Sequence, residues 1–559
     1  MKKMKSKGIS ILLVMVLSGM LLAGCTQKGA EGNQSTSAPV TTKDAESETG
    51  QKAEGEPLVL TAFFKTELPW DTAVAEEITK RTGVKLEFVS VAGDPAEKLN
   101  LMMVSDSVPD LITIDRGAAA NDQYITNKKV IPLDDLIAQY GPDVASQLGD
   151  TMAKIKNKDD GKIYGIPSWF QDNIAPSAVF GFNIRMNYVK ELGYYDTYIN
   201  KGYFTKDEFV SLLKDWKAKY PTVDGNNSIA MVFNSENEGD YTYTFKGMYG
   251  INSFYEKDGQ LYDNMRNPRL REMYLFMNEL YLGGLLDKDW PVTKKALYDE
   301  KISNGYVLSS PAAYWNIPNA VLGTDKDGNK TPDTMMYPFL VAADGVKAEE
   351  TTYGPSSVLG WSYTYISSSN KHPEETMKFM NFLMSEEGQY LTQWGREGVI
   401  WDNKDGKRVI KDEVLSDMEK DMTSVLEKEG IRKYEILFKS GIAKDGQPYD
   451  IYNGYNQITG EIDPVTAFAN QYLGKTAYDT TLYDDLGPDA GTSEALIKTK
   501  IDDLMKTTVP KIILADSQEE AGKIYDQMVK DAENAGLSKI EKISNEKFEK
   551  RLEIWGDVR

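Results

Sequence analysis

Cysteine is nearly missing from this chain. Cys25 is the single one in 559 residues, so no internal disulfide can form, and a zinc site built from Cys and His clusters is out of reach. Histidine is equally scarce. His372 stands alone, and it sits directly before Pro373, where a helix start is expected rather than a base of a Ser–His–Asp or Cys–His set. No G-x-x-x-x-G-K-[ST] or G-x-G-x-x-G loop is present to cradle phosphates. Positive charge is in deficit: 64 Lys plus Arg face 85 Asp plus Glu, a net charge of −21. That balance argues against nucleic acid or an anionic lipid surface as partner, since both attract basic patches. Solubility accounts for it. Beyond residue 24 no stretch is long and apolar enough to span a bilayer.

The one apolar run near the start follows Lys2, Lys3, Lys5 and Lys7 and carries no charge from Ile9 to Gly24. A basic segment followed by a short apolar one reads as a signal peptide, residues 1–24. It ends in Leu22-Ala23-Gly24-Cys25. That tetrapeptide resembles the bacterial lipobox, whose cysteine sulfur takes a diacylglycerol and becomes the new N-terminus. Lipidation would also remove a free thiol, and several acyl chains together anchor firmly, at about 0.8 kcal/mol per buried CH₂. Residues 25–56 then run through Gly, Ser, Thr, Glu, Gln and Lys without an aromatic residue. Such a segment cannot bury enough apolar surface to offset chain entropy. It reads as a flexible tether with a reach of roughly 30 Å.

From Leu58 the pattern alternates strand and helix. Strands are expected at 58–64, 84–91 and 110–115, and helices at 71–83 and 96–106, with Gly83 as a stop. This spacing implies βαβ units, a mostly parallel sheet, and ligand contacts beyond the strand ends, in the loops after Phe64, Val91 and Asp115. About 500 residues exceed what one core supports, so two lobes or more are expected. The clearest helix lies within 203–221: Thr205 and Glu208 form a capping box, and Phe209, Leu212, Leu213 and Trp216 make a buried stripe. Further helices are expected from Pro373, from Ser385 to Gly395, and from Ser517 to Trp555.

Aromatic residues are plentiful, with 32 Tyr against 18 Phe, which suggests rings that keep a wet hydroxyl. Trp70, Trp169, Trp315, Trp361 and Trp401 sit in loops among Asn, Asp, Gln, Arg and Ser. A flat ring flanked by polar groups suits a sugar, which offers one apolar C–H face and a set of hydroxyls.

An ordered set of segments carries a resemblance to a known family. It runs through "SDSVPDLITIDR", "VIPLDDLI", "DDGKIYGIPS", "GFNIRMNYVKELGY", "FTKDEFVSLLKDWKAKYP", "KISNGYVLSSPAAYW", "ISSSNKHPEETMKFMNFLMSEEGQ" and "WGREGV". With the lipobox and tether, this resembles the family 1 extracellular solute-binding proteins of ABC importers, in particular the LplA/LipO-type lipoproteins. The resemblance implies an α/β, two-lobed periplasmic-binding-protein-like fold (type II) with an oligosaccharide held between the lobes. It further implies closure on binding, delivery to the transmembrane subunits of an ABC permease, no catalysis, no cofactor and a monomer on the outer face of the cell membrane. It places lobe 1 at 57–170 plus about 355–420 and lobe 2 at 171–354 plus about 421–559, with crossings near Pro167–Asn173 and Tyr353–Tyr365. Trp169, Asp172, Trp361 and Tyr363 then lie at the hinge. Trp70 follows the first strand, and Asp115 and Arg116 end the third. Trp315 is carried over as a stacking residue and Glu397, in "GREG", as a reader of hydroxyls. A uronate would be accommodated if Arg116 or Arg396 lined the cleft.

Two departures from the family pattern stand out. Relatives often carry a calcium loop after the capped helix, but "PTVDGNNSIAMVF" keeps Asp224, Gly225 and Asn226 without the closing acidic pair. No tight cation site is expected there, nor in "DKDGNKTPD" at 325–333, which lacks EF-hand spacing and reads as a turn. Met186-Asn187-Tyr188 stands where relatives more often show Lys-Asp-Trp. The main competing reading is a surface-anchored lyase or hydrolase of polysaccharides, which the abundance of carboxylates permits, although no carboxylate pair stands out by local context; a third is an adhesin or structural lipoprotein, which would take no soluble ligand.

Replacing the lipobox cysteine tests the anchor. Cys25→Ala is expected to move the protein from the membrane fraction to the medium, with loss of the acyl mass from its N-terminal peptide in mass spectrometry.

Overall fold

The computed structural model describes residues 55–65, 68–91, 93–172, 178–318, 332–459 and 464–556. The signal segment, Cys25 and nearly all of the tether lie outside these residues, as do 325–331 of the expected turn. Eleven strands organise the body: β1 Leu58–Phe63, β2 Val84–Phe88, β3 Leu111–Asp115, β4 Gly165–Ser168, β5 Phe180–Arg185, β6 Ile229–Met231, β7 Val307–Ala313, β8 Met336–Phe339, β9 Gly354–Ser356, β10 Ser362–Ile366 and β11 Ala477–Asp479.

The first sheet has the order β2-β1-β3-β10-β4. β1 runs parallel to β2 and β3, as the βαβ spacing implies, with Leu58 opposite Val84 and Ala62 opposite Leu111. β10 lies antiparallel between β3 and β4, so Ser362 faces both Asp115 and Ser168. Local sequence explains these elements. In β1, Leu60 and Ala62 are buried while Val59 and Thr61 are exposed, the alternation of a strand with one wet face. In β3, every residue before Asp115 is buried, which suits a strand covered on both faces. Between β1 and β2 the helix Ala73–Thr82 starts on the Thr72 side chain and stops at Gly83, whose φ of 69° is freely available to glycine.

The second sheet has the order β8-β5-β7-β6. β7 is antiparallel to β5, with Ala313 opposite Phe180, and parallel to β6. The capping box of Thr205 and Glu208 forms as expected at the start of the helix Lys206–Lys219. Phe209, Leu212, Leu213 and Trp216 are fully buried. A buried aliphatic or aromatic side chain of this kind contributes about 1.5–3 kcal/mol.

Each sheet has its own core. Leu60, Val74, Leu86, Met377, Met380 and Trp394 pack in one, and Phe182, Phe209, Phe245, Met277, Phe339 and Tyr525 in the other. The first core extends further along the chain than the sequence reading has it. Ile431, Tyr434, Leu437, Ile451 and Tyr455, which that reading assigns to lobe 2 beyond residue 420, are core residues of the first sheet. Main-chain and side-chain bonds lay 435–440 along β4 and β10: the hydroxyls of Ser168 and Thr364 donate to the carbonyls of Glu435 and Ile436 at 2.9 and 2.8 Å, and Ser440 N–H donates to Phe170 O at 2.8 Å. Among the described residues, the chain leaves the first core between Phe170 and Ala178, returns to it between Tyr353 and Ile366, and leaves it again between Tyr455 and Val465.

The passages meet at closely spaced backbones. β9 and β11 form a two-stranded parallel sheet, with Gly354 opposite Ala477. A Cβ on Gly354 would stand 2.8 Å from the Ala477 Cα and 3.1 Å from the Ala178 Cα, and one on Gly360 would stand 2.0 Å from the Ser168 carbonyl oxygen. Gly360 also has φ of +66°. Gly360→Ala is expected to destabilise the protein by about 3 kcal/mol or more, through strain and the blocked contact together. Gly406→Ala, at φ of +81° but with open space around it, should cost about 1 kcal/mol. Urea unfolding of the two variants checks the difference.

Candidate ligand site at the strand ends

The carboxyl ends of β1, β3 and β4 and the start of β10 share one edge of the first sheet. Two main-chain bonds stitch it: Arg116 N–H donates to Trp361 O at 2.7 Å, and Trp361 N–H donates to Ser168 O at 3.1 Å. Gly360 makes the approach possible, and the indole of Trp361 is left 71% exposed. The Asp115 carboxylate accepts from Lys65 Nζ at 3.2 Å, just beyond β1. Arg116 turns the other way. Its Nε donates to Gly360 O at 2.8 Å and its Nη1 to the Asp484 carboxylate. Burial lifts the pKa of Asp484, which the Arg116 charge opposes.

Trp169 follows β4 with φ of 63°, an uncommon conformation for a bulky residue and one often held in place at functional sites. Its ring packs edge-on against Phe438 at 5.0 Å, its Nε1 donates to Glu435 Oε2 at 3.3 Å, and the Arg432 guanidinium lies 5.1 Å over it. Asp172 pairs with the buried Lys439 at 3.1 Å.

The second sheet offers a matching edge. Ala313, the end of β7, is opposite Phe180, the first residue of β5. Trp315 follows in a single helical turn and is 57% exposed, with Tyr314 edge-on at 5.1 Å. Beside it Asp240 organises the loop from within the helix Glu238–Met248. Its carboxylate accepts from Asn316 Nδ2 at 3.0 and 3.1 Å, from Asn237 Nδ2 at 2.9 Å and from Ala313 N–H at 3.2 Å. Asp240 is buried, and burial raises its pKa despite these donors. One turn further along, Tyr243 is 45% exposed against Phe180 at 5.1 Å.

Asp115, Arg116, Trp169 and Trp361 thus share the edge of the first sheet, with Asp172 on the segment leading away from it, and Trp315 stands at the edge of the second. Three expected residues sit elsewhere. Trp70 is committed to packing: its ring lies 4.6 Å from Tyr434, 6.3 Å from Phe88 and 6.4 Å from Phe379, and its Nε1 donates to Thr79 Oγ1 at 2.9 Å. Tyr363 lines a small cavity of about 150 Å³ with Asn121, Lys158, Tyr365, Asp484 and Arg551, and burial raises its phenol pKa. Glu397 is exposed at a separate hollow of about 520 Å³, with Arg81, Glu387, Tyr390 and Arg408. Trp401, also a loop indole by sequence, is buried and donates to Gly395 O at 3.0 Å.

Sequence reasoning missed Asp240, Tyr243 and Asn316. The available signal was "EGDYTYTF" (238–245), which places Asp240 and Tyr243 on one face of a helix directly after a strand. The DGNN stretch forms a tight exposed hairpin, with Asp224 and Gly225 at φ of 48° and 82°. Chemically, the two edges present exposed indole and phenol faces beside fixed amide and carboxylate groups. That combination suits an amphipathic, hydroxyl-rich molecule.

Comparison with known proteins agrees with this architecture. Residues 65–390 match the family model for bacterial extracellular solute-binding proteins. The fructooligosaccharide ABC transporter substrate-binding protein FusA of Streptococcus pneumoniae is 26% identical over 353 residues, which cover 59% of this chain and 61% of that relative. The polygalacturonan/rhamnogalacturonan-binding protein YtcQ of Bacillus subtilis is 23% identical over 431 residues, 73% of this chain and 77% of its own length. Lipoprotein LipO, also of Bacillus subtilis, is 22% identical over 473 residues, 82% and 85% of the two chains. Among solved structures, the alginate-binding protein AlgQ2 superposes with a TM-score of 0.64 at 22% identity, covering 89% of this chain and 98% of that one. FusA in complex with kestose gives 0.64 at 16% identity, covering 88% and 99%. The fold is that of the two-lobed solute-binding proteins, and this chain belongs to the bacterial extracellular solute-binding protein family.

Proposed function

We propose that this chain is the lipid-anchored substrate-binding protein of an ABC importer, that it captures an oligosaccharide by closure of its two lobes, and that it hands the sugar unchanged to the permease. The observation that carries this reading is the pair of large exposed indoles, Trp361 at 71% and Trp315 at 57%. They stand at the carboxyl ends of two different sheets, next to the segments that join them. Single exposed apolar residues are ordinary, but two tryptophans beside a fixed carboxylate–amide network at strand ends suit a ligand with C–H faces and hydroxyls. The relatives named for fructooligosaccharide and polygalacturonan point the same way.

In this reading the first lobe comprises the chain to about Ser168 and from about Trp361 to Tyr455, and the second lobe comprises the remainder. The three passages, drawn together at Gly354 and Gly360, form the hinge. An open form exchanges ligand. Contacts from both lobes favour the closed form, and the shift cannot exceed the difference in affinity between the two states. Asp240 is a positioning residue that keeps the amide of Asn316 aimed at the ligand. Acyl chains on Cys25 and the tether hold the protein at a high local concentration beside the permease, on the outer face of the cell membrane.

Isothermal titration against a set of soluble oligosaccharides tests the proposal. A ligand is expected to bind, to raise the melting temperature as native-state ligands do, and to be recovered intact by mass spectrometry. Trp361→Ala and Trp315→Ala should each weaken binding about tenfold, roughly 1.4 kcal/mol, without loss of folding. Cleavage of the ligand, or unchanged affinity in both variants, would overturn it.

A further inference from the structure

Among the described residues, the cations around the first-sheet edge are held by groups of the protein itself, Arg551 by the main-chain carbonyls of Leu482 and Asp484 and the others by acids. Lys65 is held by Asp115 at 3.2 Å. Arg116 is divided between Gly360 O and Asp484. Lys439 is bound to Asp172 at 3.1 Å and to the main-chain carbonyl and side-chain amide oxygens of Gln147 at 3.3 and 3.1 Å. Arg432 lies between the rings of Trp169 and Tyr452, with Asp450 at 3.4 Å. Arg396, the other arginine that could have met a uronate, is bidentate on Glu429 at 3.1 and 3.2 Å.

The acids are not balanced in the same way. Glu435 accepts from the indole of Trp169, the ring at the end of β4. Asp240, under Trp315, takes its hydrogen bonds from two asparagine amides and a main-chain N–H, all neutral donors. The whole chain adds a charge of −21.

A ligand carboxylate entering this site would leave water without a partner, or would have to take a cation from its acid and strand that acid instead. The second route costs most at Arg116 and Asp484, whose side chains are both largely buried, because a buried charge needs its own counter-charge. Hydroxyls face no such barrier, since carboxylates, amides and indole faces all receive them. We infer that the site selects neutral saccharides and rejects those built from uronic acids. This rests on the saccharide reading above and adds the charge class of the ligand.

The test is titration calorimetry on the whole soluble chain with length-matched sets. Neutral fructo-, gluco-, manno-, galacto- and xylo-oligosaccharides are compared with oligogalacturonates and oligoalginates, with a dipeptide mixture as a third arm. The expected result is binding of a neutral sugar, uronates weaker by at least about a hundredfold, and an affinity nearly independent of salt, since no ligand charge is screened. Asp115→Asn, which releases the exposed Lys65, should shift the ratio toward uronates about tenfold. Asp484→Asn, which releases Arg116, should do the same, and Asp115→Asn keeps the test usable if the more buried variant does not fold. A uronate that binds as tightly as any neutral sugar, with affinity falling steeply in salt, overturns the charge assignment and leaves the saccharide reading intact. An unchanged ratio in the folded variants also overturns the assignment. Binding in the dipeptide arm alone, or silence in every arm, overturns both.

Discussion

Two main-chain hydrogen bonds at one corner of the first sheet, from Arg116 to Trp361 and from Trp361 to Ser168, hold the ends of three strands in register. They can form only because residue 360 has no Cβ to strike the Ser168 carbonyl and adopts a positive φ at little cost. The same geometry leaves the Trp361 indole in solvent and directs the Arg116 guanidinium back toward Asp484. One glycine thus couples the join between the sheets to the surface proposed to meet a ligand. Burying a further side chain there would not compensate for its loss, since it is the backbone that needs the space.

Electrostatics shape the site by pairing more than by net charge. Asp115, Asp172, Asp450 and Asp484 each meet a cation at or near this edge, so the acidity of the chain is locally neutralised where its strands end. Asp240 is different. Buried among neutral donors, it has a raised pKa, and its value to the structure is directional. It fixes Asn316 and Asn237 with three hydrogen bonds and the Ala313 N–H with a fourth, and unpaired buried acceptors are costly enough that those donors do not wander.

The packing of the second half of the chain explains why lobe boundaries are hard to read. The helix Asp412–Glu429 is charged along most of its length, and nothing in it says which core its few buried residues serve. The assignment is made by Tyr434, Leu437 and Tyr455, spaced irregularly through turns, and by the side-chain bonds of Ser168 and Thr364 to carbonyls more than seventy residues away. Contacts of that sequence separation leave no periodicity to detect.

The order of the first strands and helices, the stops at Gly83 and Gly395, the capping box at Thr205 and the stripe ending in Trp216 were all settled by residues close together in the chain, because caps and amphipathic faces are local chemistry. The presence of loop tryptophans was legible too. What each indole does was not. Trp70 is spent on packing with Tyr434, and Trp401 is buried on Gly395. Tyr363 lines a small cavity with Asp484 and Arg551, and Glu397 lies at a different hollow. Trp169, Trp315 and Trp361 stand at the strand ends of the two main sheets, joined there by Tyr243, whose only mark was its helical spacing from Asp240, and by Asn316, which carried none. A ring's exposure depends on which distant segment covers it, and an ion pair on which partner the fold brings near. Tertiary structure alone decides both, since they are sums over contacts that no window of sequence contains.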